Sequence, residues 1–213
     1  MDDPKPARGG RPPRLTAEAR AACVMQAMEA VIAERGLHGA SMDAIAMKAG
    51  MSKRTVYALF PSRDALFAAW AEAVRELLVR PLAPEECDLP LLDRLRRMLG
   101  REVERAASES RLHVLRALIA EAPRHPAIAR AFHDAIPMAA RRLLAAELTR
   151  AVARGEIDVP DPDAAAALLL DMTCVNPIAM LLNPDAGPVC RQTAADRLDL
   201  ALNVFLHGVA RRP

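Results

Sequence analysis

Apolar residues recur every three or four positions along most of the chain, with polar residues between them. This spacing places apolar side chains on one face of a helix, whereas a strand would need strict alternation over several residues. No alternating stretch of any length is present, so the pattern predicts an all-α protein. Glycine and proline divide the pattern into separate helices, because both residues end helical segments.

Two of the predicted helices near the N-terminus are long. The first is capped by Thr16, runs to Arg35 and is stopped by Gly36. Another begins at Ser62 and continues to about Arg80 with apolar residues at helical spacing. Both have the length and the apolar face to support the shorter segments between them.

Those shorter segments are two helices within residues 41–60. Ser41 caps the first one, which Gly50 stops, and Ser52 caps the second one, which runs over 53–59. Two short capped helices across a glycine turn, the second opening with basic residues, are typical of a helix-turn-helix.

The stretch from Gly39 to Leu66 resembles the DNA-binding domain of the TetR/AcrR family of bacterial transcriptional regulators. The matching residues are Ile45-Ala46, Ala49-Gly50, Ser52, Thr55, Tyr57, Phe60, Ser62 and Leu66-Phe67. Ile32 stands where the family usually has an aromatic residue, and Arg63 stands where lysine is common. The resemblance implies an N-terminal three-helix helix-turn-helix domain followed by a larger helical domain that binds a ligand and dimerises.

In this geometry the N-terminal end of the second motif helix enters the major groove of double-stranded DNA. Contacts to base edges are therefore predicted for Lys53, Arg54 and Thr55. Contacts to phosphates are predicted, by position and by resemblance, for Ser41, Ser52, Tyr57 and Arg63. Tyr57 has an alternative role as a core residue whose hydroxyl pairs within the protein.

The charge of the chain is concentrated at this end. Residues 1–60 carry nine Lys and Arg against six Asp and Glu, although the whole chain has a net charge of only +2. Residues 1–15 have little to bury and are expected to be a disordered basic arm. Its Arg11 and Arg14 are predicted to contact DNA, with a solvated tail as the alternative.

The remaining pattern predicts a helical domain over residues 79–213, after a helix-turn-helix domain over 16–78. The predicted helices are 91–107, 108–122, 127–135, 138–154, 163–182 and 191–211. The run from Ala120 to Phe132, with GEIDVPDPDAAAALL after it, resembles the ligand-binding half of AefR-like members of the same family.

Family resemblance implies that this half binds a small-molecule effector and forms a homodimer through its last two helices. The predicted dimer stripe is Leu198, Ala201, Leu202, Phe205 and Val209, with an intramolecular core face as the alternative. Polar and adaptable residues among apolar ones are the predicted ligand contacts, with ordinary core roles as the alternative: His113, Arg116, His133, Met172, Cys174 and Asn176.

Other classes of function are excluded by missing motifs. The sequence has no nucleotide-binding glycine loop, no zinc-protease motif and no nucleophile elbow, so no enzymatic activity and no cofactor are expected. His125 and His133 lack metal-ligand spacing, and no metal is expected. No signal peptide is visible and the longest apolar run is short, which favours a cytoplasmic protein without a membrane span.

The sequence therefore predicts a homodimeric repressor that binds a palindromic operator and is released by a small molecule. Two alternatives stay open. One is a ligand-independent regulator or activator of the same fold. The other is a helical ligand-binding or interaction protein that no longer binds DNA.

Overall fold

The structure is a computed structural model that describes residues 16–99, 108–174, 177–183 and 191–209. Within these ranges the protein is helical, apart from turns, loops and an isolated bridge at Ile157. The all-α prediction is confirmed. The helices are α1 (Ala17–Gly39), α2 (Met42–Lys48), α3 (Lys53–Leu59), α4 (Arg63–Leu78), α5 (Leu91–Leu99), α6 (Glu109–Glu121), α7 (Pro126–His133), α8 (Ala139–Ala153), α9 (Pro162–Thr173), α10 (Pro177–Leu182) and α11 (Arg191–Val209).

The starts of the first four helices are fixed by hydroxyl caps. Thr16, Ser41, Ser52 and Ser62 each accept a hydrogen bond from the backbone N–H three residues later, at 3.1 to 3.2 Å. Each cap satisfies one of the N–H groups that a helix start leaves without a partner. The predicted N-termini of these helices are confirmed.

Two glycines set the turns of the N-terminal domain. Gly36 and Gly50 have φ angles of 69° and 64°, a region that other residues adopt only with strain. Gly36 breaks α1 as predicted, and one further helical turn, residues 37–39, follows the break. Gly50 turns the chain from α2 into α3, which places these two helices against each other.

One hydrophobic core joins the N-terminal domain to later helices. It gathers buried residues of α1 to α4 and adds Val114 and Leu118 from α6 and Ile136 from the turn after α7. Residues on both sides of position 78 share this core. The predicted domain boundary between 16–78 and 79–213 therefore does not coincide with a boundary between two hydrophobic cores. The division into these two domains stays a prediction.

A buried polar cluster reinforces the same junction. The Glu29 carboxylate of α1 accepts hydrogen bonds from Trp70 Nε1 of α4 at 2.7 Å and from Ser110 Oγ of α6 at 2.5 Å. Arg111 Nε lies 3.2 Å from the same carboxylate. Because an unpaired buried carboxylate is costly, the three helices are held in one arrangement.

A second core lies among α5, α8, α9 and α11. Val79, which directly follows α4, is buried in it, so α4 reaches from the first core to the second. Arg94 of α5 is also buried there; its Nε donates to Glu147 at 2.6 Å and its Nη1 donates to the Leu89 carbonyl at 2.6 Å. Arg94 also pairs with Glu156, and this guanidinium lowers the pKa of the Glu156 carboxyl.

The prediction of two helices separated by Pro137 is wrong. The chain stays helical from Pro126 to Ala153, and Pro137 lies inside a π turn, Asp134–Met138, that joins α7 to α8. A π turn shifts the hydrogen-bond register by one residue, and this accommodates a proline that has no N–H to donate. The turn packs against α4.

The prediction of one helix over 163–182 is also wrong. The backbone becomes extended at Cys174, with φ −72° and ψ 142°, and α10 begins at Pro177. Proline suits the first position of a helix, where its missing N–H costs nothing, better than the interior predicted for it. The Asp161 cap and Pro162 at the start of α9 are confirmed.

Two other predicted helices are described only in part. Residues 100–107 of the predicted 91–107 helix, and residues 210–211 of the 191–211 helix, lie outside the described residues.

The stretch Pro162–Leu182 is long and apolar enough to cross a membrane. However, the described chain leaves the helix within that stretch, and α9 packs against α8 and α11.

Candidate functional site

The N-terminal end of α3 is the exposed basic surface of the helix-turn-helix. Val56 and Phe60 are buried in the first core and hold α3 against α1 and α2. Lys53, Arg54 and Tyr57 of the same helix are exposed. The arrangement holds two cations and a phenol outward on a packed support.

Lys53 is held by a carboxylate of the preceding helix. Its ammonium nitrogen lies 2.5 Å from Asp43 Oδ2, and both side chains are well exposed. An exposed ion pair has a small net free energy because water solvates both partners when it opens. Lys53 can therefore exchange Asp43 for a phosphate or a base edge at low cost.

The hydroxyls predicted to meet DNA have structural roles in the free protein. Ser52 Oγ accepts from the Thr55 N–H at 3.1 Å and lies 2.8 Å from Thr55 Oγ1. Ser41 Oγ accepts from Ala44 N–H. Accepting a cap hydrogen bond leaves a hydroxyl its own proton, and only one of the Ser52 and Thr55 protons is used between these two residues, so capping and a phosphate contact are compatible.

Tyr57 is 48% exposed. Its alternative interpretation as a core residue is therefore wrong, although contact with DNA stays a prediction. Arg54 is also exposed, in the first turn of α3.

Arg63 has a role that sequence reasoning missed. Its Nη2 donates to the Leu37 carbonyl at 2.5 Å, and its guanidinium carbon lies 5.4 Å from the centre of the Phe67 ring. These contacts tie the start of α4 to the turn after Gly36. This hydrogen bond uses one of the five N–H donors of the guanidinium, and the predicted phosphate contact through the others stays a prediction. Arg11 and Arg14 lie outside the described residues.

A second exposed ion pair joins α1 to α2 behind the motif. Lys48 pairs with Glu34, and the hydrogen bond from its ammonium lowers the pKa of the Glu34 carboxyl. The pair helps to orient the two helices and leaves the exposed face of α3 clear.

The residues predicted for a ligand pocket do not line the cavities found beside α4. Arg116 and His133 are exposed, His113 is half-buried in α6, and Met172 packs against the second core. Cys174 is half-buried at the end of α9, where burial raises the pKa of its thiol. Asn176 lies outside the described residues. Their assignment as ligand contacts stays a prediction.

One cavity beside α4 is almost wholly apolar. It has a volume of about 280 Å³ and lies between α4, α6, α7 and the π turn. We call it the apolar cavity; its lining is Asp64, Phe67, Ala68, Trp70, Ala71, Leu118, Ile128, Ala131, Phe132 and Ala135. Sequence reasoning assigned the apolar members to a core, since helical spacing cannot distinguish a filled interior from a lined cavity.

A second cavity of about 340 Å³ lies where α1, α4 and α6 meet. Its lining is more polar and includes Glu29, Arg80 and Arg111, with Trp70 shared between the two cavities. Arg80 donates to Glu86, which lowers the pKa of that carboxyl to about 2. This second cavity is therefore bordered by charges that are already paired.

The predicted dimer stripe on α11 is wrong as a surface for a partner. Ala201, Leu202 and Phe205 are buried within the subunit, and Leu198 and Val209 pack against the same second core. The intramolecular alternative is the correct one for this stripe.

Other apolar residues of the last helices are exposed instead. Leu200 and Val204 of α11 are 66% and 56% exposed, and Leu168 of α9 is exposed as well. The i, i+4 spacing of Leu200 and Val204 was present in the sequence. The neighbouring apolar stripe is longer and therefore gives the stronger periodic signal.

Comparison with known families and proteins gives a consistent result. Residues 24–70 match the family model described as bacterial regulatory proteins of the tetR family. Residues 93–208 match the model described as the AefR-like transcriptional repressor C-terminal domain. An HTH-type transcriptional regulator of Mycobacterium tuberculosis is 33% identical over 128 residues, which are 60% of this chain and 60% of that protein. The aligned region thus spans less than two thirds of that relative.

Solved structures extend the similarity to nearly the whole chain. A TetR family regulator from Pseudomonas syringae pv. tomato is 25% identical, with a TM-score of 0.65, over 93% of this chain and 100% of that one. The flavonoid-responsive regulator FrrA is 28% identical, with a TM-score of 0.60, over 91% of this chain and 98% of that one.

Proposed function

The chain belongs to the TetR family of transcriptional regulators and has an AefR-like C-terminal domain, and from this membership we propose a ligand-released repressor. It acts in the cytoplasm as a homodimer on a palindromic DNA operator. The observation that carries the proposal is the exposed, basic N-terminal end of α3, held on the buried anchors Val56 and Phe60. This is the geometry that the major groove of DNA accepts.

Within that surface we divide the roles by position. Lys53 and Arg54 read base edges, for which guanine is the preferred partner of either cation, and Thr55 contacts a thymine methyl group. Tyr57, Ser41 and Ser52 position the domain on phosphates. The carboxylate of Asp43 must release Lys53 before the base contact forms.

Dimerisation is assigned to the exposed face of α9 and α11. Leu168, Leu200 and Val204 are large apolar residues left in water by the single subunit, and these two helices pack against each other. A two-fold contact between two such helix pairs forms a four-helix interface. It would set the two α3 helices about one DNA turn apart, or a multiple of it, to match a two-fold operator.

The apolar cavity is the proposed effector site. An almost wholly apolar lining with three aromatic rings suits an uncharged, flat aromatic molecule, and the similar regulator FrrA is described as responsive to flavonoids. The cavity lies directly against α4, which also carries Arg63, the residue bonded to the turn before α2. A ligand that displaces α4 would therefore move the DNA-binding surface.

The operator proposal is tested by selecting duplexes from a randomised pool with the full chain and sequencing those retained. We expect an inverted repeat whose half-site centres are separated by about one DNA turn or a multiple of it. A pool that stays random after several rounds would contradict sequence-specific binding.

The effector proposal is tested with flavone, an uncharged planar aromatic, by calorimetry and by release from the selected operator. We expect binding and release by the wild type, and loss of both with Ala131→Phe, which places a ring at the exposed rim of the cavity. The control is Ala127→Phe, which places the same ring on an exposed position of α7 outside the lining. Release that is indifferent to Ala131→Phe would move the effector site elsewhere; absence of flavone binding would reject this ligand class.

A further inference from the structure

Two histidines and one glutamate from opposite halves of the chain meet outside the surfaces described so far. His38 Nε2 lies 3.3 Å from Glu121 Oε2, and His125 Nε2 lies 3.8 Å from the same oxygen. The two imidazole rings touch edge to face, with centroids 5.0 Å apart. Two nitrogens thus converge on one carboxylate oxygen.

The donor set and its spacing suit a transition-metal ion. All three ligand atoms lie within 4.8 Å of one another. In a tetrahedral Zn²⁺ site with bonds of about 2.0–2.1 Å, ligand atoms are roughly 3.3 Å apart. The measured separations need only small rotations of side chains that are at least partly exposed. Two imidazoles and a carboxylate are a known three-ligand set for zinc, with one position left for water.

The backbone on both sides of the cluster is already ordered. The corner between α6 and α7 is closed by a hydrogen bond from His125 N–H to the Glu121 carbonyl at 2.8 Å. His38 follows Leu37, whose carbonyl accepts from Arg63, and precedes Ser41, the cap of α2. An ion would therefore meet ligands on two fixed turns and would not have to order a loop.

We propose that His38, Glu121 and His125 form a binding site for a divalent transition-metal ion such as Zn²⁺, which ties the helix-turn-helix to the α6–α7 corner. His38 lies three residues before the cap of α2, so an ion bound there fixes the start of the DNA-binding motif against the effector half. Metal binding and DNA binding then shift the same conformational equilibrium of the protein. Each ligand therefore changes the affinity of the protein for the other.

Sequence reasoning missed this cluster because it compared neighbours along the chain. His125 and His133 lack ligand spacing along the chain, whereas the partner His38 lies in the first helix. Only the packing of α1 against α6 brings the two histidines together.

The site is tested by titrating chelator-treated, full-length protein with Zn²⁺ in a calorimeter. We expect one ion per subunit in the wild type. His38→Ala and His125→Ala should weaken binding by more than about tenfold, since even an outer-shell partner of a metal ligand is worth about 10–100-fold. Affinity that is unchanged in both variants would overturn the proposal.

His133→Ala is the matched control. This histidine also lies beside a carboxylate, Asp134 at 3.6 Å, but without a second imidazole, so its removal should leave Zn²⁺ affinity unchanged. Co²⁺ gives a second readout, because tetrahedral Co²⁺ with bound imidazole absorbs strongly in the visible range. We expect this absorption in the wild type and in His133→Ala, and its loss in Glu121→Gln. A spectrum that survives Glu121→Gln would remove the carboxylate from the site.

The link to the DNA-binding motif is tested separately, with the selected operator duplex at fixed salt. Zn²⁺ should change the operator affinity of the wild type by roughly fivefold or more, the lower end of typical coupling, and leave that of His38→Ala unchanged. Equal affinity with and without Zn²⁺ in a protein that binds the ion would overturn the coupling. Failure of DNA binding itself would appear in chelator-treated protein, and it would leave the calorimetric result intact.

Discussion

At the scale of single residues, the proposed contact of Lys53 with DNA requires its ammonium to leave the Asp43 carboxylate. The pair is short, at 2.5 Å, but exposed on both sides, so it holds Lys53 loosely. The Asp43 carboxylate also places a negative charge beside the surface that must approach phosphates. In the proposed complex, Asp43 is thus a restraint on DNA affinity within the motif itself.

Asp43→Asn should therefore tighten operator binding. We expect a gain of about two- to fivefold in affinity at low salt, the size of an exposed ion pair, shrinking as salt screens the charge. Fluorescence anisotropy with the selected duplex measures it. The control is Asp88→Asn, which removes the same charge from an exposed position in the effector half. Weaker operator binding by Asp43→Asn than by Asp88→Asn would contradict this expectation, because it would show that the Asp43 carboxylate supports DNA binding.

Arg94 is a buried charged residue beside the second core. It lies buried between Glu147 and Glu156 and bonds the Leu89 carbonyl as well. Arg94→Met should lower the free energy of unfolding by about 3–5 kcal/mol, because it leaves the buried Glu147 carboxylate without this partner. Urea unfolding measures the loss. Arg96→Met, which removes only an exposed pair with Asp199, should lower the free energy of unfolding by less than about 1 kcal/mol. Equal losses for Arg94→Met and Arg96→Met would contradict the stabilising role given to the buried arginine.

The pKa of Glu156 adds a pH dependence to that stability. Arg94 holds this pKa below its ordinary value of 4.5, so the pair stabilises the fold fully above that value. The contribution is lost as the pH falls through the lowered pKa. The stability difference between wild type and Glu156→Gln should therefore be constant near neutrality and shrink in acid. A difference that grows in acid would show that Arg94 is not the cause of the lowered pKa.

Sequence reasoning found the residues whose partners are local. The capping hydroxyls and the exposed cations of α3 follow from neighbours within four positions. It missed Arg94, Glu29 and the hydrogen bond from Arg63 to the Leu37 carbonyl, because their partners are distant in the sequence. A lone charge in an apolar pattern gives no sign of which carboxylate will meet it.

At the scale of helices, α11 carries two apolar faces with different roles. One is buried in the second core and the other is left exposed by a single subunit. Leu200→Asp with Val204→Asp should give a folded monomer, since the change places charge only on the exposed face. Sedimentation measures the mass, and circular dichroism confirms the helices.

Leu202→Ala is the matched change on the other face. It should lower the free energy of unfolding by about 2–5 kcal/mol, the cost of truncating a fully buried leucine. The dimer should persist under conditions where the protein stays folded. A monomer from Leu202→Ala, or an unchanged dimer from the double aspartate variant, would show that the two faces are assigned the wrong way round.

The helix boundaries show where periodicity is informative. Caps predicted the starts of α1 to α4, and glycines predicted the break in α1 and the end of α2, because each acts on its own turn. Prolines were less informative. Pro137 was predicted to break a helix that the π turn continues, and Pro177 was predicted inside a helix that it begins. Proline removes one donor, and packing decides how the chain accommodates the loss.

At the scale of the whole molecule, α4 connects two cores. Its residues belong to the core of the helix-turn-helix, and Val79 directly after it is buried in the core of the effector half. The apolar cavity lies along the same helix. The order of domains could be predicted from the sequence. The shared core could not, because residues of α6 that complete it are far from the motif in sequence.

The central claim, that α3 reads DNA, is tested most directly by operator affinity as a function of salt for the wild type, Arg54→Ala and Arg130→Ala. Both variants remove one exposed arginine, but Arg130 lies on α7, away from the motif. Arg54→Ala should lose about 1–3 kcal/mol of operator binding and discriminate less between the operator and a scrambled duplex. Arg130→Ala should match the wild type. Equal affinities for the three proteins, or equal binding to operator and scrambled duplexes by the wild type, would contradict the account.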